Sequence, residues 1–189
     1  MGDGGRRYRR GMSRSRRPLI ALACLVALLA ATTLAWSVSA AGSTPSMHRL
    51  LVSKELWATI DVCSPTDQPN TVGIRGSMPG DGRSHERMYM SFRLQYLDRA
   101  SNRWLNLSSG APPQFVAVGA AGSARQGGRS FQLVPVAGKP AFTLRGVVDF
   151  QWRRGNRALQ SAVRVTTAGH QSLAGADPAG FTAPTCLIG

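Results

Sequence analysis

The side chains able to do chemistry in this chain are few and scattered. Three histidines, His48, His85 and His170, stand far apart, each in a stretch that reads as loop or linker. A Ser-His-acid triad needs a base oriented by a carboxylate and set beside a nucleophile. Ser84-His85-Glu86 supplies the three residue types. Neighbours in sequence rarely form a triad, however, and no Gly-x-Ser-x-Gly elbow is present to raise a serine. The triplet reads as a solvated loop. For a metal, no His-x3-His or Cys-x2-Cys spacing occurs, and Gly80-Asp81-Gly82 brings a single carboxylate, too few for a calcium loop. Gly119-Ala120-Ala121-Gly122-Ser123 is glycine-rich, yet no helix follows it to present amides to a phosphate. The sequence implies no catalytic residue, no metal and no cofactor.

Carboxylates are scarce too, with eight beyond residue 40. Asp61 and Asp149 fall on strand faces opposite the apolar ones. Glycosidase chemistry would need two such groups side by side, and nothing in the sequence joins them. The simpler expectation pairs Asp149 with an arginine on a neighbouring strand, such as Arg164. Trp57, Trp104 and Trp152 have the chemistry of a carbohydrate or peptide groove, but such side chains more often fill a core. Trp57 is the exception, because it lies opposite Leu56, Ala58, Ile60 and Val62. It is the candidate binding residue.

Where these groups would work follows from the start of the chain. The first 17 residues carry seven arginines and one acid, and residues 18–31 are then uncharged and almost wholly apolar. Val38-Ser39-Ala40 ends the run with small residues. A basic segment, an apolar core and a small-residue site describe an export signal cleaved after Ala40. The competing form is an uncleaved anchor helix over residues 19–38, long enough to span a bilayer. Either way the arginines stay inside and the remainder goes outside. With Cys24 removed, Cys63 and Cys186 remain as an even pair, which in an oxidising compartment predicts a disulfide. It would close a loop worth about 4–5 kcal/mol in chain entropy.

Charge divides the same way. Of the net +14, the leader holds 7 − 1 = +6, and the rest holds 16 − 8 = +8, scattered as single arginines. A solvated surface accounts for that pattern. The functional counterpart is attraction to an anionic cell-envelope polymer, a lipid surface or an envelope protein. Nucleic acid is not implied, since no recognition motif is present.

The elements that must position these groups are strands. Residues 142–152 alternate Phe142, Leu144, Val148, Phe150 and Trp152 against Thr143, Arg145, Asp149 and Gln151, the period-two mark of a half-buried strand. Arg154-Gly155-Asn156-Arg157 supplies a turn. The return strand is expected to place Leu159, Val163 and Val165 on the apolar side and Gln160, Arg164 and Thr166 on the polar side. Further strands are expected at residues 55–63, 72–75, 87–97, 104–107, 115–118 and 131–136. Residues 166–183 read as loop, and no amphipathic helix is evident. One core fits the length after the leader. The organisation is a leader at residues 1–40, a linker at 41–53 and an antiparallel all-β sandwich at 54–189.

Met90-Ser91-Phe92-Arg93-Leu94-Gln95-Tyr96 with Trp104, and the later hairpin from Val147 to Val165, resemble the middle and last hairpins of immunoglobulin-like and fibronectin type III-like sandwiches. The tail from Arg164 through Phe181 to Cys186-Leu187-Ile188 is similar to exported single-disulfide proteins of high-GC bacteria. The cysteines sit at the ends of the domain, not in two central strands as in true immunoglobulin domains. The resemblance implies a fold and an extracytoplasmic location, and carries over no active-site residue. The expectation is a secreted or envelope-held β-sandwich acting as a non-catalytic binding or structural module. The alternative is an envelope hydrolase whose site has no sequence signature.

Overall fold

The computed structural model describes residues 46–107, 113–170 and 174–189. The expected leader, its Val38-Ser39-Ala40 cleavage site and the alternative anchor at 19–38 lie outside the described residues. Within them are a short helix, α1 (Met47–Leu51), and the strands β1 (Trp57–Cys63), β2 (Thr71–Met78), β3 (Arg83–Asp98), β4 (Arg103–Asn106), β5 (Val116–Ala121), β6 (Arg125–Gln132), β7 (Phe142–Arg154), β8 (Arg157–Val165) and β9 (Cys186–Ile188). No described helix is long and apolar enough to cross a membrane.

The strands make two antiparallel sheets. The smaller has the order β1-β2-β6; the larger runs β4-β3-β7-β8, with β5 also on β3 and β9 on β7. Period-two alternation in β3 and β7 turns Met88, Met90, Phe92 and Leu94 inward beside Leu144, Val148, Phe150 and Trp152, all almost fully buried. Ile60, Val72, Ile74 and Met78 meet them from the smaller sheet. The two layers approach closely over glycine. A Cβ at Gly76 would stand 3.1 Å from the Phe150 ring, and one at Gly146 only 2.8 Å from Ile74 Cδ1. Cys63, ending β1, is bonded to Cys186 in β9 across a sequence separation of 123. The expected disulfide is present, and it ties the smaller sheet to the larger.

Several elements differ from the sequence reading. β2 is eight residues long, not four, because it runs between β1 and β6 and is covered on both faces, so no alternation marks its length. β6 precedes the expected strand at 131–136. Arg125 to Gln132 pair with β2 residue for residue through backbone bonds, which the Arg-Gln-Gly-Gly side chains do not advertise. Val134 and Val136 lie beyond it and are exposed. Gly119 to Ala121, expected in a loop, belong to β5. Met47–Leu51, read as linker, forms α1, with Leu50 in the core.

The return strand faces the other way from expectation. Trp152 pairs with Gln160 and Arg153 with Ala158, so Leu159 is an extra residue in a bulge. That insertion shifts the parity of everything after it. Ala162 and Thr166 turn inward, while Val163 and Val165 are 51% and 42% exposed on the outer face. The turn itself is as expected, with Gly155 at a φ of 57° that a side chain would resist.

Candidate functional site

The outward residues of β3 and β7 share one face of the larger sheet, within which Ser91 and Val147 are nonetheless buried. Arg87, Tyr89, Ser91, Arg93 and Gln95 stand opposite Arg153, Gln151, Asp149, Val147 and Arg145. Four of these ten are arginines and one is acidic. Arg93 is paired with Asp149. The expected cross-strand arginine is thus present, but it comes from β3 and is not Arg164, which lies opposite Val148 on the inner side and donates to the Leu51 carbonyl at 2.5 Å.

Arg145 and Arg153 are held by a different device, used twice. The Arg153 guanidinium lies over the Tyr89 ring at 4.3 Å and the Phe115 ring at 4.8 Å, and its Nε donates to Gln151 Oε1 at 2.7 Å. The Arg145 guanidinium lies over Trp104 at 4.4 Å, and its Nε donates to Gln95 Oε1 at 2.8 Å. Burial lowers the Arg145 pKa from its usual value, though arginine at this depth stays a cation. Among the described residues neither arginine meets a carboxylate, and the ring and glutamine contacts fix both half-buried guanidinium planes without an acidic partner. A planar guanidinium with two free donors is a bidentate receptor for carboxylate, sulfate or phosphate. Trp104, expected in the core, is half-buried on this outer face; Trp152 is in the core, its Nε1 donating to the Pro79 carbonyl at 3.0 Å.

A second polar cluster lies at one end of the molecule. Ser84, His85 and Glu86 belong to β3, not to a loop, and Glu86 is fully buried. The parity of Met88, Met90 and Phe92, run backwards, puts residue 86 inward; that is the signal from which it could be found. Glu86 Oε1 accepts from Arg154 at 2.6 Å, with Arg83 at 3.5 Å and His85 at 3.8 Å. Asp81 is equally buried, and its Oδ1 accepts the Arg83 amide at 2.7 Å. The remaining oxygens, Asp81 Oδ2 and Glu86 Oε2, are buried without a hydrogen-bond partner, and the two carboxyls influence each other's titration. Burial, then the bond and charge of Glu86, push Asp81 up to about 6. Burial also acts to raise Glu86, but the Asp81 and Arg154 hydrogen bonds and the Arg83 and Arg154 charges outweigh it, and Glu86 is lowered. The two carboxyls are closed to solvent, and their pKa values are driven in opposite directions.

The other expected site residues end up apart. Trp57 is half-buried, stacked on His170 with centroids 4.3 Å apart and planes 13° from parallel. His170 Nε2 is 3.0 Å from Thr167 Oγ1, and burial lowers its pKa. The stack occupies the indole face that a ligand would use and fastens the 166–170 segment onto β1, where Thr167 N also bonds the Ala58 carbonyl. His48 lies in α1 and His85 in β3, both exposed. Asp61 joins neither Asp149 nor a histidine: it is buried in the smaller sheet and paired with Arg75 at 2.6 Å, at the edge of a polar cleft of about 320 Å³ that Arg129 and Ser130 also line. Cys63 and Cys186 are joined to each other.

No family model matches this chain, and neither does any curated protein. Among solved structures, the alkylpurine DNA glycosylase AlkC of Pseudomonas fluorescens, bound to DNA containing an abasic site analogue, is similar at 13% identity and a TM-score of 0.30. The likeness covers 61% of this chain and 30% of the glycosylase, so this chain spans less than a third of that protein's length. No property of the glycosylase transfers at that level.

Proposed function

We propose that this chain is an exported, non-catalytic β-sandwich of immunoglobulin-like or fibronectin type III-like kind, secreted or held at the cell envelope, that binds its partner through the outer face of the larger sheet. The observation that carries the reading is the pair of arginines, Arg145 and Arg153, each stacked on aromatic side chains (Trp104 for one, Tyr89 and Phe115 for the other), bonded to a glutamine and, among the described residues, without a carboxylate partner. Holding a long cation rigid costs side-chain entropy, and a solubility charge needs no such holder. A receptor does, because preorganisation removes that ordering cost from binding.

Export is supported by the arginine-rich leader with its apolar core and by the disulfide, a bond that persists in oxidising compartments. A hydrolytic reading would need an acid and base open to substrate; Asp81 and Glu86 are both fully buried. The test is retention of the full chain on isolated envelope material. Retention should weaken with salt and drop sharply in the Arg145→Gln/Arg153→Gln double variant. Retention unchanged in that variant would remove the outer face from consideration, and a chain found wholly inside the cell with free thiols would remove the export reading.

A further inference from the structure

The two open forks sit on one strand and one face. Arg145 and Arg153 are both outward residues of β7, eight positions apart, which at about 3.3 Å per residue separates them by ~26 Å along the strand. Between them the face is uncharged in sum. Arg93 neutralises Asp149, while Gln151 and, across on β8, the exposed Ser161 offer hydrogen-bonding groups. Beside this track Val163 and Val165 make a low apolar rail. Charge is therefore presented at the two ends of the track, by Arg153 with the exposed Arg87 opposite it at one end and by Arg145 at the other, with a polar, weakly apolar path between them.

We infer that this track docks an acidic polysaccharide of the uronate class, its chain lying along β7 with one carboxylate in each arginine fork. The inference rests on the outer face being the binding surface and names the ligand for it. A carboxylate matches the guanidinium edge bidentately. Sugar hydroxyls between the charged points would meet Gln151 and Ser161, and the C–H faces of the rings would rest on Val163 and Val165. Receptors fixed at two points along one strand favour a stiff pyranose chain, because a flexible phosphodiester polymer would lose more conformational entropy on being straightened. An anionic membrane fits less well. Tyr89, Trp104 and Phe115, the aromatic side chains that would anchor in an interface, lie beneath the guanidiniums.

Two-point attachment makes the second contact intramolecular, so binding should depend steeply on ligand length. The test titrates the disulfide-bonded full chain with polygalacturonate, galacturonic acid, polyglycerol phosphate and phosphatidylglycerol vesicles at one ionic strength. Polygalacturonate should bind at least about 100-fold more tightly than the single sugar acid. Either Arg145→Lys or Arg153→Lys, which keeps the charge and loses the planar fork, should bring the polymer close to the single-sugar level. Arg129→Gln, in the other sheet, removes a charge and should change affinity by no more than about twofold, because exposed charges this remote are screened. If a lysine variant also loses stability, Gln95→Ala and Gln151→Ala free the forks without touching the arginines, and the same loss of length dependence is expected. Equal losses with Arg129→Gln, no effect of the lysine variants, or tighter binding to polyglycerol phosphate or vesicles would each overturn the inference. Envelope retention that is sensitive to the double variant, without polygalacturonate binding, would overturn the ligand class and leave the outer-face reading standing. Loss of both would end both.

Discussion

Because Asp81 and Glu86 are buried together with pKa values displaced from the ordinary range, their titration should appear in the stability of the whole chain. Asp81 is raised from 3.8 to about 6. The folded state thus holds its proton more tightly than the unfolded state does. The stabilisation from this group is full at pH below 4 and is lost as pH climbs through 6, after which it is flat. Glu86 has the opposite sign: lowered from 4.5, it stabilises above the usual carboxylate range and that contribution fades on acidification. The groups facing the pair are Arg83, His85 and Arg154. Asp81→Asn keeps a neutral donor toward Glu86 and has no proton to lose. Denaturant midpoints taken between pH 4 and 7 should fall for the native chain and lose most of that slope in the variant, which should be the more stable of the two at pH 7. A slope unchanged by the substitution would place the titrating group elsewhere. None of this was visible as a motif. Arg83-Ser84-His85-Glu86 is polar throughout, and only the parity continued from Met88 places one member inward.

At the scale of elements, alternation read β3 and β7 correctly and misread β8. A strand buried on one face declares its facing every second residue; a bulge breaks that count without a sequence mark, and Leu159 is such a residue. The consequences are measurable on neighbouring positions. Trp152→Ala empties a fully buried site and frees the Pro79 carbonyl, and should cost about 3–5 kcal/mol. Arg153→Ala removes only a surface stack, worth about 0.5–1 kcal/mol. Val163→Thr on the exposed face should lie within about 0.5 kcal/mol of the native chain. Gly146→Ala should cost about 1–3 kcal/mol, because its Cβ would fall 2.7 Å from Thr166 Cγ2 and 2.8 Å from Ile74 Cδ1. Urea melts of the four variants rank them. A Val163→Thr change as damaging as Gly146→Ala would reverse the facing of β8. The held arginines lay within reach of the same alternation, since Arg145, Gln151 and Arg153 share parity on β7. Their aromatic partners did not, because pairing β3, β4 and the segment ahead of β5 around them is a matter of long-range register.

For the whole molecule, the all-β character and the disulfide were legible from strand periods and a count of cysteines. The β2–β6 pairing was not, because it rests on backbone hydrogen bonds under side chains that carry no pattern. The disulfide connects the end of β1 to β9, which in turn pairs with β7, so its loss releases the link between layers. Cys186→Ser should lower unfolding free energy by about 2–5 kcal/mol, read from denaturant midpoints, and a chain as stable without the bond would leave the staple without a role. What the molecule presents to the outside is then decided by which of its surfaces a partner covers. Hydroxyl-radical labelling of the full chain, with and without bound envelope material, reads that directly from side chains. Tyr89, Trp104, Phe115 and Val163 should become protected while Trp57 and His170 label as before. Protection centred on Trp57 and His170, with the outer face of the larger sheet unchanged, would contradict it.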